Sequence, residues 1–111
     1  MTDVHIQNSR IDFGETIRNF DYEIKSVKRT NGLLVVLLGV PPQVTNNRNV
    51  ICFDKTGVEK WRIEALPSDR ENKPYMSIDI SQGRLIADNW IGVQAAVDIQ
   101  TGKIISTSLS K

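Results

Sequence analysis

The chain has 111 residues, with 14 Lys or Arg against 13 Asp or Glu and a formal charge of +1. A balance this close to zero supplies no global field for nucleic acid, an anionic membrane or a strongly basic partner, so nucleic-acid and membrane partners are not expected. The lone cysteine, Cys52, rules out an internal disulfide; with no signal peptide after Met1 and no apolar run longer than Leu33–Leu38, the expectation is a cytoplasmic protein of one domain over residues 1–111.

Strand signals dominate, as short apolar, β-branched and aromatic runs cut by Gly, Pro, Asn and Asp. Val4–Gln7 and Arg10–Phe13 come first. Phe13, Ile17, Phe20, Ile24 and Val27 then recur three or four apart, the spacing of an amphipathic helix. Phe20, Tyr22 and Ile24 also alternate with charged residues, which favours a strand over Tyr22–Thr30 and leaves one short helical turn near residues 14–19. On the strand reading Asn31-Gly32 is a two-residue hairpin turn into Leu33–Gly39; on the helix reading it is a C-terminal cap. Pro41 to Arg48 is a loop that no strand can cross. Asn49–Asp54 and Val58–Glu64 form the next pair. After a second loop, Leu66 to Pro74, come Tyr75–Ile80, Arg84–Asp88, Val93–Asp98 and Lys103–Thr107, joined by Ser81-Gln82-Gly83 and Asn89-Trp90-Ile91-Gly92. Successive hairpins predict an all-β fold: an antiparallel meander of blade-like hairpins, shaped as a partial propeller or half-barrel.

Asn49 to Trp61 and Val93 to Ile105 spell the same phrase, a strand-like run, an Asp, a Thr-Gly turn and a second strand-like run. Asp54 and Asp98 stand 44 positions apart, within the period of one four-stranded propeller blade. The repeat-like units cover about residues 32–64 and 83–107. Through Asp54-Lys-Thr-Gly57 with Trp61 in the next strand, and Asp98-Ile-Gln-Thr-Gly102 with Ile105 at the Trp position, the chain resembles the blade repeat of quinoprotein-like β-propellers. The resemblance implies blade scaffolding and no cofactor, because two blades and a fraction cannot close a ring that usually needs about four to eight. A second resemblance rests on Leu33–Leu38, Pro41-Pro42, Val50–Asp54, Trp61-Arg-Ile-Glu64, Pro74-Tyr75 and Asp88-Asn-Trp90. It is to small solitary bacterial β proteins of the toxin-immunity type, and implies a chain that binds and neutralises a cognate toxin.

Several groups that could carry chemistry have plainer roles. Asp54-Lys55-Thr56-Gly57 resembles the start of the phosphorylated-aspartate motif of P-type pumps, but Val58 stands where their next Thr would be. Asp54 and Asp98 are better suited to accept N–H bonds within their own turns, with Gly57 and Gly102 in left-handed backbone. Cys52 shares a strand face with Val50 and reads as a small core residue, while the single imidazole, His5, lies in a separate strand. One His and one Cys cannot complete a zinc site. Lys25, Lys28, Arg29 and Arg48 form a basic group, yet no aromatic lies between Lys25 and Arg48 to stack a base, which favours a solvated hairpin end. No catalytic, cofactor-binding or metal-binding residue is assigned, and the chain is expected not to be an enzyme.

Surface contact remains. Trp90, in a hairpin loop beside Asp88 and Asn89, either folds back over the core or anchors a partner. Tyr75, with Asp69, Arg70 and Glu71 in the loop before it, completes the expected protein-binding set. Trp61, at a repeat position, is assigned to the core. The functional expectation is a non-enzymatic protein-binding domain, in its sharpest form an immunity protein for a cognate toxin domain. Asp69, Glu71, Asp79 and Asp88 would then supply an acidic face for a cationic partner. The alternatives are a structural module that homo-oligomerises through edge strands, and a small-ligand-binding domain with an apolar pocket.

Overall fold

In the computed structural model, which describes residues 4–41, 43–44, 46–65, 74–89 and 92–109, every regular element is a strand. They are β1 (His5–Gln7), β2 (Arg10–Asp12), β3 (Ile17–Asn19), β4 (Glu23–Thr30), β5 (Leu33–Gly39), β6 (Val50–Asp54), β7 (Glu59–Arg62), β8 (Tyr75–Ser81), β9 (Arg84–Asn89), β10 (Val93–Val97) and β11 (Ile104–Leu109). Sequence neighbours pair antiparallel into three open sheets: β1-β2-β3, β4-β5-β6-β7 and β8-β9-β10-β11. The expected antiparallel meander is present, in its partial-propeller form. Asn31 and Gly32 hold positive φ values of 46° and 77° and turn β4 into β5, as the hairpin reading requires.

The helical turn near residues 14–19 is corrected. Phe13 N–H bonds the Thr16 carbonyl at 2.8 Å, a tight turn that lays Ile17–Asn19 back along β2 as a strand. Four of the five residues at helical spacing, Phe13, Phe20, Ile24 and Val27, do reach one apolar layer, but through separate strands and turns. Ile17 points away from that layer and is 46% exposed.

The middle sheet is buried on both faces, which explains the unbroken apolar run of β5. Val35, Leu37, Val50, Cys52, Trp61 and Ile63 pack against Tyr75, Ile78, Leu85, Ala87, Ala95 and Val97 of the third sheet. Leu34, Val36, Leu38, Ile51 and Phe53 turn the other way, against Ile11 and Phe13 of the first. Period-two alternation therefore serves two cores at once.

The outward faces differ from these inner ones. Cross-strand partners share a face, so the register gathers Ser77, Asp88, Gln94 and Ser108 in one row on the third sheet, and Asp79, Ile86, Ala96 and Ser106 in the next. On the first sheet the outward rows carry His5, Gln7, Arg10, Asp12 and Asn19. Both outward faces are thus mostly polar, with Ile17, Ile86 and Ala96 among them.

Candidate functional site

The repeated turns were the first candidates for chemistry, and their aspartates are occupied locally. Asp54 Oδ1 accepts the Thr56 hydroxyl at 2.6 Å, the Thr56 N–H at 2.8 Å and the Val58 N–H at 3.1 Å. The Thr56 hydroxyl, with these amides and Lys60 adding, holds the Asp54 carboxyl below its usual range. Asp98 Oδ1 accepts the Gln100 N–H, and Asp12 Oδ1 the Gly14 N–H, both at 2.8 Å. Asp12 belongs to a third hairpin of the same kind, on β2 and β3. These carboxylates build turns.

The hairpins also dock onto one another. Arg18, Trp61 and Ser106 each stand four residues after a turn glycine and pair with Ile11, Cys52 and Ala96 on the preceding strand. The register corrects the Trp-equivalent of the last unit from Ile105 to Ser106, because the Asp98 turn is one residue longer than the Asp54 turn. Trp61 donates its indole N–H to the Ile99 carbonyl at 2.8 Å and lies over Gly102, where a Cβ would come within 2.5 Å of the ring. Arg18 Nε donates to the Gly57 carbonyl at 2.8 Å, and its guanidinium sits 5.9 Å from the Phe53 ring centroid. Each unit's last strand therefore reaches the next unit's turn. Ser106, at the equivalent place in the third unit, is exposed.

Cys52 is buried between the second and third sheets, and burial pushes its thiol up to about 11 against an ordinary value of 9.0. Lys60 pulls the other way and Asp54 adds to the rise, both less strongly. At pH 8 the folded thiol is neutral and shielded. Iodoacetamide is expected to leave it unlabelled over a time that fully labels the urea-unfolded chain; equal rates would show that β6 opens readily. Linkage gives a second readout. The folded pKa is raised, so the stabilisation is full below about pH 9 and is lost as pH climbs toward 11, where the unfolded thiol ionises first. Urea midpoints should fall from pH 8.5 to 10, and less steeply in Cys52→Ala.

Of the binding set expected from sequence, three residues are described, and two of them are buried. Tyr75 is only 1% exposed: its hydroxyl donates to the Glu64 carbonyl at 2.7 Å, burial raises its pKa, and its backbone is clasped by Asn49. That corrects Tyr75 from contact residue to core residue. Asn89 is likewise buried, its Oδ1 accepting the Val93 N–H at 3.0 Å to close its own loop. Asp88 remains on the outward face of the third sheet, accepting from Ser77 Oγ at 3.2 Å. Asp69, Arg70, Glu71 and Trp90 lie outside the described residues. The basic group also divides. Arg48 donates to the Ile63 and Arg62 carbonyls, and Lys25 lies against Gly39, whereas Arg29 pairs with Leu34 near the other end of β5.

A cleft opens where the first and second sheets meet, at the end carrying the turns. One lobe of about 300 Å³ is lined by Phe13, Gly14, Glu15, Thr16, Thr56 and Val58 with Lys55. A second lobe of about 270 Å³, running over Val4, Leu33, Leu34 and the Asn31-Gly32 turn, shares Phe13 and Lys55 with the first and adds Arg29. Phe13 lines both and packs against Phe53, ring centroids 5.6 Å apart. Val58 is 52% exposed at the mouth. Lys55 and Arg29 make no ion pair or hydrogen bond among the described residues, so both ammonium and guanidinium groups face solvent beside an apolar floor.

The model of a domain of unknown function, DUF7957, matches residues 1–109. The chain belongs to DUF7957. No curated protein matches this DUF7957 chain in sequence. Its fold resembles that of the computationally designed Ika8 protein, with a TM-score of 0.62 and 13% identity over 99% of this chain and 36% of that one. It also resembles BamB from Moraxella catarrhalis, a β-propeller, with a TM-score of 0.63 and 18% identity over 97% of this chain and 32% of that one. The DUF7957 chain spans about a third of either structure's length. At such identities the likeness speaks to blade architecture alone, and nothing in it bears on toxin immunity. No helix among the described residues is long and apolar enough to cross a membrane.

Proposed function

We propose that this chain is a non-enzymatic protein-binding module and that the cleft between its first two sheets is the docking site. The carrying observation is the pairing of an apolar floor, Val4, Phe13, Leu33 and Leu34, with the cations Arg29 and Lys55 at its edge, neither of them paired among the described residues. That combination suits a short extended segment presenting an apolar side chain next to a carboxylate, the apolar group entering a lobe and the acid meeting the two cations. A non-enzymatic reading is supported by the groups with the best claim to reactivity: Cys52, Tyr75 and Asp54 are each committed to the core or to a turn.

The test is selection of displayed random heptapeptides on the folded protein. Enrichment of an apolar–acidic pair is expected, with NMR shifts confined to Phe13, Lys55, Val58 and the Asn31-Gly32 turn. Lys55→Glu, on an exposed turn, should weaken the selected peptide by about tenfold, ~1.4 kcal/mol, without moving the Tm. Selection of basic peptides, or shifts on another face, would overturn the proposal.

A second reading, neutralisation of a cationic toxin domain, is favoured by one observation. Asp79 and Asp88 share the outward face of the third sheet, diagonal to each other across β8 and β9. Arg84 lies on that face too, opposite Ser81. On this reading Asp79→Lys with Asp88→Lys abolishes protection of a toxin-bearing host while Lys55→Glu leaves it intact; the reverse pattern would return the function to the cleft.

A further inference from the structure

Among the described residues, the three open sheets have six edge strands: β1, β3, β4, β7, β8 and β11. Edge strands are blunted by charge, shortness or distortion to prevent uncontrolled pairing. β1 and β3 are three residues long. β4 carries Glu23, Lys25, Lys28 and Arg29; β7 carries Glu59, Lys60 and Arg62; β8 carries Asp79, which meets Lys28 at 4.0 Å. β11, Ile104-Ile-Ser-Thr-Ser-Leu109, is different. It is six residues long without a charged residue or proline, and all but its first residue are exposed. The Glu64 carboxylate takes the Ile104 N–H at 2.8 Å, so the edge open to a partner begins at Ile105.

That open segment reads the same in both directions: apolar, Ser, Thr, Ser, apolar. From this we infer that two copies of the chain pair antiparallel through β11, about a two-fold axis at Thr107. In that register Ile105 lies opposite the partner's Leu109, Ser106 opposite the partner's Ser108, and Thr107 opposite the partner's Thr107. Both apolar residues gain cover where each now stands in solvent, Ile105 at 50% and Leu109 at 76% exposed. Ile105, left without a partner on β10 by the register shift between Ala96 and Val97, acquires one. Cross-strand Thr–Thr and aliphatic pairs are favourable, and an uncharged strand meets its own copy without like-charge repulsion. A two-fold axis needs a self-complementary patch, and a palindromic strand is its simplest form. The product is one eight-stranded sheet running from β8 of one copy to β8 of the other. A second copy is preferred over a foreign strand because the palindrome gives a foreign strand no advantage.

A contact this narrow stands at the small end of protein interfaces, so self-association is expected only at concentrations on the order of tens of micromolar and above. Sedimentation equilibrium from roughly 10 μM to 1 mM should show the wild type passing from monomer to dimer. Thr107→Lys and Thr107→Glu, both at an exposed position, should each stay monomeric with unchanged Tm, and mixing them should restore a dimer at or below the wild-type concentration. The mixing arm is specific to an axis at residue 107. A wild type monomeric at 1 mM would overturn the inference, even if a foreign strand peptide bound the same edge. So would a Thr107→Lys variant that dimerises like the wild type, or a mixture that fails to pair.

Discussion

Asn49→Ala is expected to lower stability by about 3–5 kcal/mol, enough to leave a domain of this size marginal or unfolded at 25 °C. Asn49 is 1% exposed, and its side-chain amide behaves as an extra peptide unit. Its Nδ2 donates to the Leu38 and Tyr75 carbonyls, each at 2.8 Å, while its Oδ1 accepts the Tyr75 N–H at 2.9 Å. Its own carbonyl accepts the Leu38 N–H at 2.9 Å and so extends the ladder between β5 and β6. One residue thus fastens the start of the third sheet to the second, across 26 positions of chain. Alanine removes the amide and leaves three buried backbone groups unpaired, each costing about 1–3 kcal/mol before relaxation or entering water reduces it. Urea unfolding followed by fluorescence measures the loss. Asn49→Asp provides an internal check, since an ionised carboxylate has no proton to give either carbonyl. That variant should be as weak as alanine at pH 7 and recover in part as pH falls and the carboxyl protonates. A loss under 1 kcal/mol for Asn49→Ala would show that the clasp is dispensable.

Trp61→Ala should cost about 3–5 kcal/mol, the usual range for emptying a large aromatic from a core. The indole is 7% exposed, packs with residues of both the second and third sheets, and gives its N–H to Ile99. The informative experiment pairs it with Gly102→Ala. Gly102 holds φ at +75°, and a Cβ would lie 2.5 Å from Trp61 Cε3 and 2.7 Å from Cδ2. With Trp61 present, alanine meets both the backbone penalty and an immovable ring; with Trp61 removed, only the backbone penalty of about 1 kcal/mol remains. Gly102→Ala is therefore expected to be severe in the wild type and mild in Trp61→Ala, a coupling of about 2 kcal/mol measured by a double-mutant cycle. Additive losses would mean that Trp61 and Gly102 do not bear on one another, and that the units are held together some other way.

Much of the architecture was legible because its signals are local. Asn31-Gly32 marked a hairpin through the backbone it permits, and the Asp54 and Asp98 turns showed themselves through a repeated phrase. The same local view failed at residues 14–19, where helical spacing arose from side chains that converge from separate strands. It also counted two repeats where the fold has a third related hairpin. Asp12-Phe-Gly14 closes a shorter turn than Asp54-Lys-Thr-Gly57, and without Thr-Gly it carries no recognisable phrase. Tyr75 followed a loop and looked available for contact. Asn49 and Glu64, which flank β6 and β7, reach across to hold it in the core.

The candidate site was hidden for a related reason. Val4, Phe13, Arg29, Leu34, Lys55 and Val58 come from several segments, and none looks unusual within its own. A cleft is a relation between elements, and spacing along the chain does not encode it.

Sequence alone decided most of the strands and turns, β3 excepted, and the alternation that gives each strand two faces, because backbone preference and period-two patterning act over a few residues. Tertiary structure decided which face meets which sheet and which residues turn outward. Those outcomes depend on contacts between residues tens of positions apart, such as Trp61 on Gly102 and Asn49 on Tyr75, whose free energy exists only once the sheets have stacked.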